Sequence, residues 1–248
     1  MVQGHPLAAD GHVTDPVVAE LAEIIQDLYL MSIHHPHLNN QWTLNGKMSC
    51  IGFRGASEGG KTAGKSSVDL QCPSSTEYDC FPGVYAWKSN ITEAEIEHDE
   101  ELWSKLPAHI KLLCKRLRHF SKEAYGENKQ ILQEFGVPSW SAKQWNNISD
   151  DSEPLFPNVL VTSNDFYNQS HKDTDKNTLT YRIFSYVGKE EGTPILPPTS
   201  ELEHALRFSQ FDCNIDFGGT PGLIEVLWQS NDIKHHITCP RRTNWEKK

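Results

Sequence analysis

The chain has 248 residues and a formal net charge of −10. Its 37% of hydrophobic and 23% of charged residues are the balance of a folded globular protein, which excludes a disordered chain. The acidic balance disfavours broad, non-specific nucleic-acid binding but leaves room for a local basic surface. No apolar run has the length of a membrane span and the N-terminus lacks the pattern of a signal peptide, so we expect an intracellular, soluble protein.

The first part of the chain, residues 1–155, is predicted to be helical and rich in loops. A first helix follows Asp15, which can cap it, and its apolar residues recur at helical spacing. The short apolar run at 47–53 predicts a strand. A second helix is expected to begin at Thr92 and a third at Pro107, since both residues favour the first turn of a helix.

The second part, from residue 156, changes to short β-rich runs separated by Gly, Pro, Asn and Asp. No helix-length pattern lies between these runs, so antiparallel pairing in a sandwich or jelly roll is favoured over a parallel sheet. We therefore predict an α+β fold in which helices pack on the outside of a β-core. The runs lie at 158–163, 179–187, 211–217 and 222–228.

The segment GGKTAGKS, residues 59–66, matches the phosphate-binding loop pattern of nucleotide hydrolases. Such a loop needs a helix directly after it, and here Pro73 and several serines follow instead. A nucleotide hydrolase is therefore disfavoured. A glycine-rich loop that carries Lys61 and Lys65 can still contact a polyanion.

The strongest chemical signal is His171-x-Asp173, in the segment NDFYNQSHKDTDKN that follows the first β-rich run. In an extended segment, residues i and i+2 lie on one face, so this imidazole and this carboxylate can reach one point. With a third ligand from a later strand, they would form the two-histidine, one-carboxylate set of non-haem Fe(II) oxygenases. His235 and His236, after the last β-rich run, are the candidates, and either ring can point inward.

An oxygenase that uses 2-oxoglutarate also needs a cation for the far carboxylate of this cosubstrate, and a guanidinium suits a carboxylate well. Arg241 and Arg242 follow the histidine pair and are the candidates. The competing interpretation is an exposed basic C-terminus. Arg182, from a different β-rich run, is a less favoured source of the cation.

Several segments together resemble the fungal Tet-like members of the Tet/JBP family of 2-oxoglutarate- and Fe(II)-dependent dioxygenases. The resemblance implies one dioxygenase domain over 1–248, with a double-stranded β-helix (jelly-roll) core and the metal site in 156–248. The segments are GKMSCIGFR (46–54), NVLVTSNDFYNQSHKDTD (158–175), FSYVG (184–188), FDCNIDFGGTPGLIEVLWQS (211–230) and KHHIT (234–238).

By position, the resemblance implies three Fe(II) ligands and two alternative contacts for 2-oxoglutarate. These are His171, Asp173 and His236 for the metal and Arg242 or Arg241 for the cosubstrate. If the substrate is DNA, Lys61 and Lys65 are the best candidates for phosphate contacts, because affinity for DNA comes largely from such charges. The basic face of the helix expected after Pro107 is a further candidate for phosphate contacts.

The activity that the resemblance implies is O₂-dependent oxidation of a methylated base, flipped out of the DNA duplex, in the nucleus. The base would be 5-methylcytosine, oxidised to 5-hydroxymethylcytosine and further. The alternatives are an N6-methyladenine demethylase, an oxygenase of RNA, protein or a small molecule, and a catalytically impaired jelly-roll binding module. The last is favoured by the short segment after the histidine pair. No membrane or protein partner is predicted.

Overall fold

The computed structural model describes residues 1–7, 15–38, 40–53, 85, 87–135, 139–141, 155–174, 179–197, 202–219 and 222–242. This part of the chain forms three helices and twelve strands. The helices are α1 (Pro16–His34), α2 (Glu93–Phe120) and α3 (Lys122–Phe135). The strands are β1 (Val2–Pro6), β2 (Thr43–Gly52), β3 (Asn158–Asn168), β4 (Leu179–Phe184), β5 (Tyr186–Val187), β6 (Pro194–Ile195), β7 (Leu202–Glu203), β8 (Ala205–Phe208), β9 (Cys213–Asp216), β10 (Gly222–Gln229), β11 (His236–Ile237) and β12 (Arg241–Arg242).

Every strand pairing in this part of the chain is antiparallel, as the sequence predicts. Two sheets have three strands, in the orders β1-β10-β4 and β11-β8-β9. The pairs β2-β3, β5-β6 and β7-β12 complete the pattern. Among the described helices, none is long and apolar enough to cross a bilayer. The segment 59–66, with Lys61 and Lys65, lies outside the described residues.

Strand β10 separates two hydrophobic clusters because successive side chains of a strand point to opposite faces. Leu223 and Leu227 lie in a cluster with buried residues of α1 and α2, so the helices cover this face of the sheet. Val226 and Trp228 lie in a second cluster with residues from β2, β3, β8 and β11. We call the second face of β10 the inner face, since strands of two other sheets pack against it.

Helix α2 is continuous through Pro107, so the prediction of a new helix at that residue is wrong. The start at Thr92 agrees with the sequence, since Thr92 and Glu95 form a capping box. A proline inside a helix removes one backbone hydrogen bond and costs about 3 kcal/mol. Residues before and after it, such as Leu106 and Leu113, are buried in one cluster, and this packing outweighs the cost. The helix ends instead at Phe120, and the extended backbone of the capping residue Ser121 separates α2 from α3.

Strand β1 was not predicted, because five residues at the start of a chain give no periodic signal. It pairs with β10 over its whole length, from Val2 opposite Val226 to Pro6 opposite Gly222. Gly222 has a φ of +136°, and a Cβ there would lie 2.1 Å from the carbonyl oxygen of His5. Only glycine allows this approach of the two backbones.

A buried carboxylate joins the helices to β10. Glu225 is fully buried, and its carboxylate accepts hydrogen bonds from Arg116 of α2 and from the hydroxyl of Tyr181. The ring nitrogen Nε2 of His5 lies 2.5 Å from the same carboxylate. Burial opposes the ionised form, but the hydrogen bonds from Arg116, Tyr181 and His5 lower the pKa of Glu225. Because the charge is paired and hydrogen-bonded, it can be accommodated in the interior.

The substitution Arg116→Met should destabilise the protein by about 3–5 kcal/mol, because it leaves the buried carboxylate of Glu225 without its cation. Urea denaturation measures this change. The matched control is Arg118→Met, in which an exposed arginine of the same helix is replaced; it should cost at most about 0.5 kcal/mol. Equal destabilisation by the two variants would contradict the pairing.

Candidate metal centre

Two backbone hydrogen bonds bring the two ends of the site together. The amide of His171 donates to the carbonyl of His235 (3.1 Å), and the amide of His235 donates to the carbonyl of His171 (2.9 Å). The segments form an isolated antiparallel bridge at these residues. A further bond, from the amide of Asp173 to the carbonyl of Ser230 (3.0 Å), fixes the segment after β3. Residues far apart in the sequence are therefore held face to face by backbone contacts.

The side chains of His171, Asp173 and His235 converge on one point. Nε2 of His171 lies 3.4 Å from Oδ1 of Asp173, and Nε2 of His235 lies 3.8 Å from Oδ2. One ligand atom from each of the three lies within 4.8 Å of the others. His235 is almost completely buried, at 1% exposure, and the other two are half-buried.

Backbone carbonyls hold both imidazoles in one tautomer. Nδ1 of His171 lies 2.8 Å from the carbonyl oxygen of Gln169, and Nδ1 of His235 lies 3.0 Å from that of Ile233. A carbonyl only accepts hydrogen bonds, so Nδ1 of each ring must carry the proton. In the neutral rings, each Nε2 therefore keeps a lone pair that faces Asp173. Histidine ligands of metals are oriented by the same kind of Nδ1 contact.

The charges of the site follow from burial and from these neighbours. Burial lowers the pKa of His235 to about 4, so this ring is neutral near pH 7. Burial opposes ionisation of Asp173, but the contact with His171 and the charge of Arg182 bring the pKa of the carboxyl down to about 2. The site thus presents a carboxylate and at least one neutral imidazole under ordinary conditions.

This donor set fits a divalent metal ion. Nε2 of His235 is buried and has no hydrogen-bond partner among the described residues. A buried hydrogen-bond acceptor without a partner destabilises a protein. Here the Nε2 atom of His235 faces the carboxylate of Asp173, which is itself an acceptor and cannot donate a hydrogen bond to it. A cation between the three would satisfy all of them. Two imidazoles and one carboxylate are the set that iron oxygenases use, with coordination positions left for other ligands.

The structure places His235, rather than the expected His236, in this group. Successive residues of an extended segment project to opposite sides. His235 and Ile237 are both buried on the inner side, whereas His236 between them is only half-buried. The sequence left both rings open, and the preference for His236 rested on the resemblance alone. The geometry corrects that preference.

Two tryptophans flank the cluster, and the sequence analysis identified neither of them. The ring of Trp42 stacks on that of His171 at 6.0 Å, with 12° between the planes. Trp228, on the inner face of β10, meets the ring of His235 edge to face at 5.1 Å. Trp228 could have been suspected from the inward alternation along β10, but Trp42 lies in a turn more than a hundred residues before the site and gives no local signal.

The other predicted site residues are placed less completely. Arg241 and Arg242 form β12, whose backbone pairs with β7, so this segment reaches a sheet edge. Their side chains lie outside the described residues, as do Lys61 and Lys65. The roles assigned to these four residues remain predictions.

Comparison with known proteins gives a family for the chain. A family model described as the Tet-like 2OG-Fe(II) oxygenase superfamily matches residues 20–240. The match confirms the Tet-like resemblance, while the narrower fungal grouping remains a prediction. No curated protein and no solved structure matches the chain.

The variants His235→Ala and His236→Ala form a matched pair that tests the geometry. Loss of an outer-shell partner costs a metal site about 10–100-fold in affinity. Loss of a ligand should cost more, so His235→Ala should weaken binding of Mn(II) over a hundredfold, roughly. The variant His236→Ala should bind almost as the unchanged protein does. Titration calorimetry with Mn(II) alone measures both, and the reverse order would show that His236 is the ligand.

Proposed function

The chain belongs to the Tet-like 2OG-Fe(II) oxygenase superfamily, and on this premise we propose that it oxidises the methyl group of a methylated base in DNA. The base we propose is 5-methylcytosine, converted to 5-hydroxymethylcytosine and further oxidised forms. The family uses Fe(II) and 2-oxoglutarate. The observation that carries the proposal is the convergence of two carbonyl-anchored imidazoles and one carboxylate on a single point.

In this proposal His171, Asp173 and His235 hold Fe(II). The bound ion, with 2-oxoglutarate and O₂, supplies oxidation of a C–H bond to an alcohol, while the cosubstrate becomes succinate and CO₂. The chain's own contribution is to fix the ligands in advance. Backbone bonds set the positions of His171 and His235, and the carbonyl contacts set the tautomer of both rings, so little reorganisation is needed when the metal binds.

The surroundings of the site also serve this chemistry. Trp228 is buried against His235 and closes one side of the cluster to water. Trp42 is half-buried and covers His171 from another side. A methylated base within a duplex cannot reach such a recessed site, so it would have to be flipped out, at a cost of a few kcal/mol. Contacts with the flipped base and the flanking phosphates would offset that cost.

Two exposed lysines next to the ligands support a polyanionic substrate. Lys172 lies between His171 and Asp173, and Lys234 precedes His235; both are exposed. The bridge between His171 and His235 brings the two lysine-bearing segments together beside the metal ligands. Two exposed ammonium groups there can contact phosphates, which would place the DNA backbone at the edge of the site.

Nucleoside mass spectrometry tests the substrate. Duplexes that contain 5-methylcytosine or N6-methyladenine are incubated with the protein, Fe(II) and 2-oxoglutarate under air. We expect 5-hydroxymethylcytosine and its further oxidised forms to appear, with one succinate formed for each oxidation step, and Asp173→Ala to abolish all of these products. Loss of N6-methyladenine instead would establish the alternative base. Binding of metal without formation of succinate would favour the catalytically impaired binding module. We also propose nuclear localisation, because the proposed substrate is DNA; an impaired module would remove this reason for it.

Salt dependence tests the lysines. The affinity for a duplex should fall steeply as salt rises, since each phosphate contact contributes about −0.9 to the slope of log K against log salt. The double variant Lys172→Ala/Lys234→Ala should flatten this slope by about two. The control Lys189→Ala, an exposed lysine in the turn between β5 and β6, should leave the slope unchanged. Equal slopes for the double variant and the unchanged protein would contradict phosphate contacts at these positions.

A further inference from the structure

Arg182 is a charged residue on the largely apolar inner face of the β10 sheet. It lies on β4 opposite Val226, and Thr180, two residues earlier on the same face of β4, lies opposite Trp228. The side chain of Arg182 is only 24% exposed. A largely buried guanidinium destabilises a protein unless an anion or hydrogen-bond acceptors compensate it. The position of Arg182 therefore requires an explanation.

The contacts of Arg182 leave most of its hydrogen-bonding capacity unused. Nη2 lies 3.9 Å from Oδ2 of Asp173, which is close enough for charge attraction but too far for a hydrogen bond. The guanidinium also lies over the ring of Trp228, 5.3 Å from its centre. This stacking fixes the plane of the group without occupying its five N–H donors. Within the described part of the chain, no acceptor is hydrogen-bonded to Arg182.

Metal binding would change the charge balance around Arg182. Before it, the positive Arg182 and the negative Asp173 offset each other. With a divalent ion bound to Asp173 and two neutral imidazoles, the cluster and Arg182 together carry two positive charges. A dianion next to the metal would cancel them. 2-Oxoglutarate is such a dianion, and a planar guanidinium is well suited to one of its carboxylates.

We propose that Arg182 binds a carboxylate group of 2-oxoglutarate, so that the cation comes from β4 rather than from Arg241 or Arg242. The inference rests on the proposed metal site and adds to it a residue that selects the cosubstrate. Trp228 orients the guanidinium, and Asp173 keeps it near the metal until the dianion arrives. This role also accounts for a charged residue among the apolar side chains of the inner face.

Titration calorimetry separates cosubstrate binding from metal binding. Mn(II) is titrated first into the full chain, and 2-oxoglutarate is then titrated into the Mn(II)-loaded protein, without turnover. The variants are Arg182→Met and Arg182→Lys. The control is Arg118→Met, which removes an arginine that also stacks on an aromatic ring, that of Tyr125 in α3. The double variant Arg241→Met/Arg242→Met tests the alternative cations, and circular dichroism verifies that each variant is folded.

We expect Arg182→Met to weaken 2-oxoglutarate binding at least about tenfold, the typical effect of a lost hydrogen bond to a charged group. Its affinity for Mn(II) should be unchanged or higher, because a nearby positive charge has been removed. The variant Arg182→Lys should recover part of the loss, since lysine keeps the charge but not the planar fork. The control and the double variant should bind 2-oxoglutarate as the unchanged protein does.

Three results would overturn the proposal. Unaltered 2-oxoglutarate affinity in Arg182→Met would do so, as would a loss confined to the double variant. A fall in Mn(II) affinity equal to the fall in 2-oxoglutarate affinity would show that Arg182 only braces Asp173. If the unchanged protein bound no Mn(II), the metal proposal itself would fail, and the role of Arg182 with it.

A second ligand identifies which carboxylate is involved. 2-Oxobutyrate keeps the keto acid group of 2-oxoglutarate but lacks its far carboxylate. If Arg182→Met lowers the affinity for 2-oxoglutarate alone, Arg182 contacts the far carboxylate. If the variant lowers the affinity for both ligands equally, Arg182 contacts the carboxylate next to the ketone. Both patterns support the proposal, because each requires a carboxylate at Arg182.

Discussion

The antiparallel bridge between His171 and His235 is the contact on which the candidate site depends. It joins segments that lie at opposite ends of the β-rich half of the chain, and closing so long a loop carries a substantial entropic cost. The strands between them supply the compensating contacts. Because the two bonds run between backbone groups, they fix the positions of the residues whatever side chains are present. The side chains then decide what the converging positions can bind.

Strand β10 carries stabilising interactions on both of its faces. Toward the helices, Glu225 pairs with Arg116, and this buried pair ties α2 to the centre of the sheet. Toward the interior, Trp228 supports the ring of His235 and the guanidinium of Arg182. The helix layer therefore acts on the metal centre only indirectly, by holding the strand that lies behind it. This arrangement separates residues that stabilise the fold from residues that shape the site.

Local patterns in the sequence predicted much of this structure, for identifiable reasons. The H-x-D pair, the β-rich runs and the cap at Thr92 are short-range features, because the spacing of neighbouring residues alone determines them. Pro107 misled the prediction, since its helix persists through packing against distant side chains. β1 depends entirely on its partner β10.

The choice between His235 and His236 shows the same limit. Two adjacent histidines can exchange roles if the strand shifts by one residue, and the bridge to His171 together with the β11–β8 pairing sets the register. Arg182 was recognised from the sequence as a possible cation but could not be ranked above Arg241 and Arg242. Its neighbours Asp173 and Trp228 come from other segments, so their proximity is visible only in three dimensions.

The alternation along β10 also protects the fold against mispairing. A slip of one residue between β10 and its neighbours would turn Glu225 toward the apolar interior and Val226 toward Arg116, so a carboxylate and a guanidinium would both be buried without partners. Each such loss is expensive, and the two would occur together. The Glu225–Arg116 pair thus favours the native register of β10, because a shifted sheet would be destabilised even before any ligand has bound.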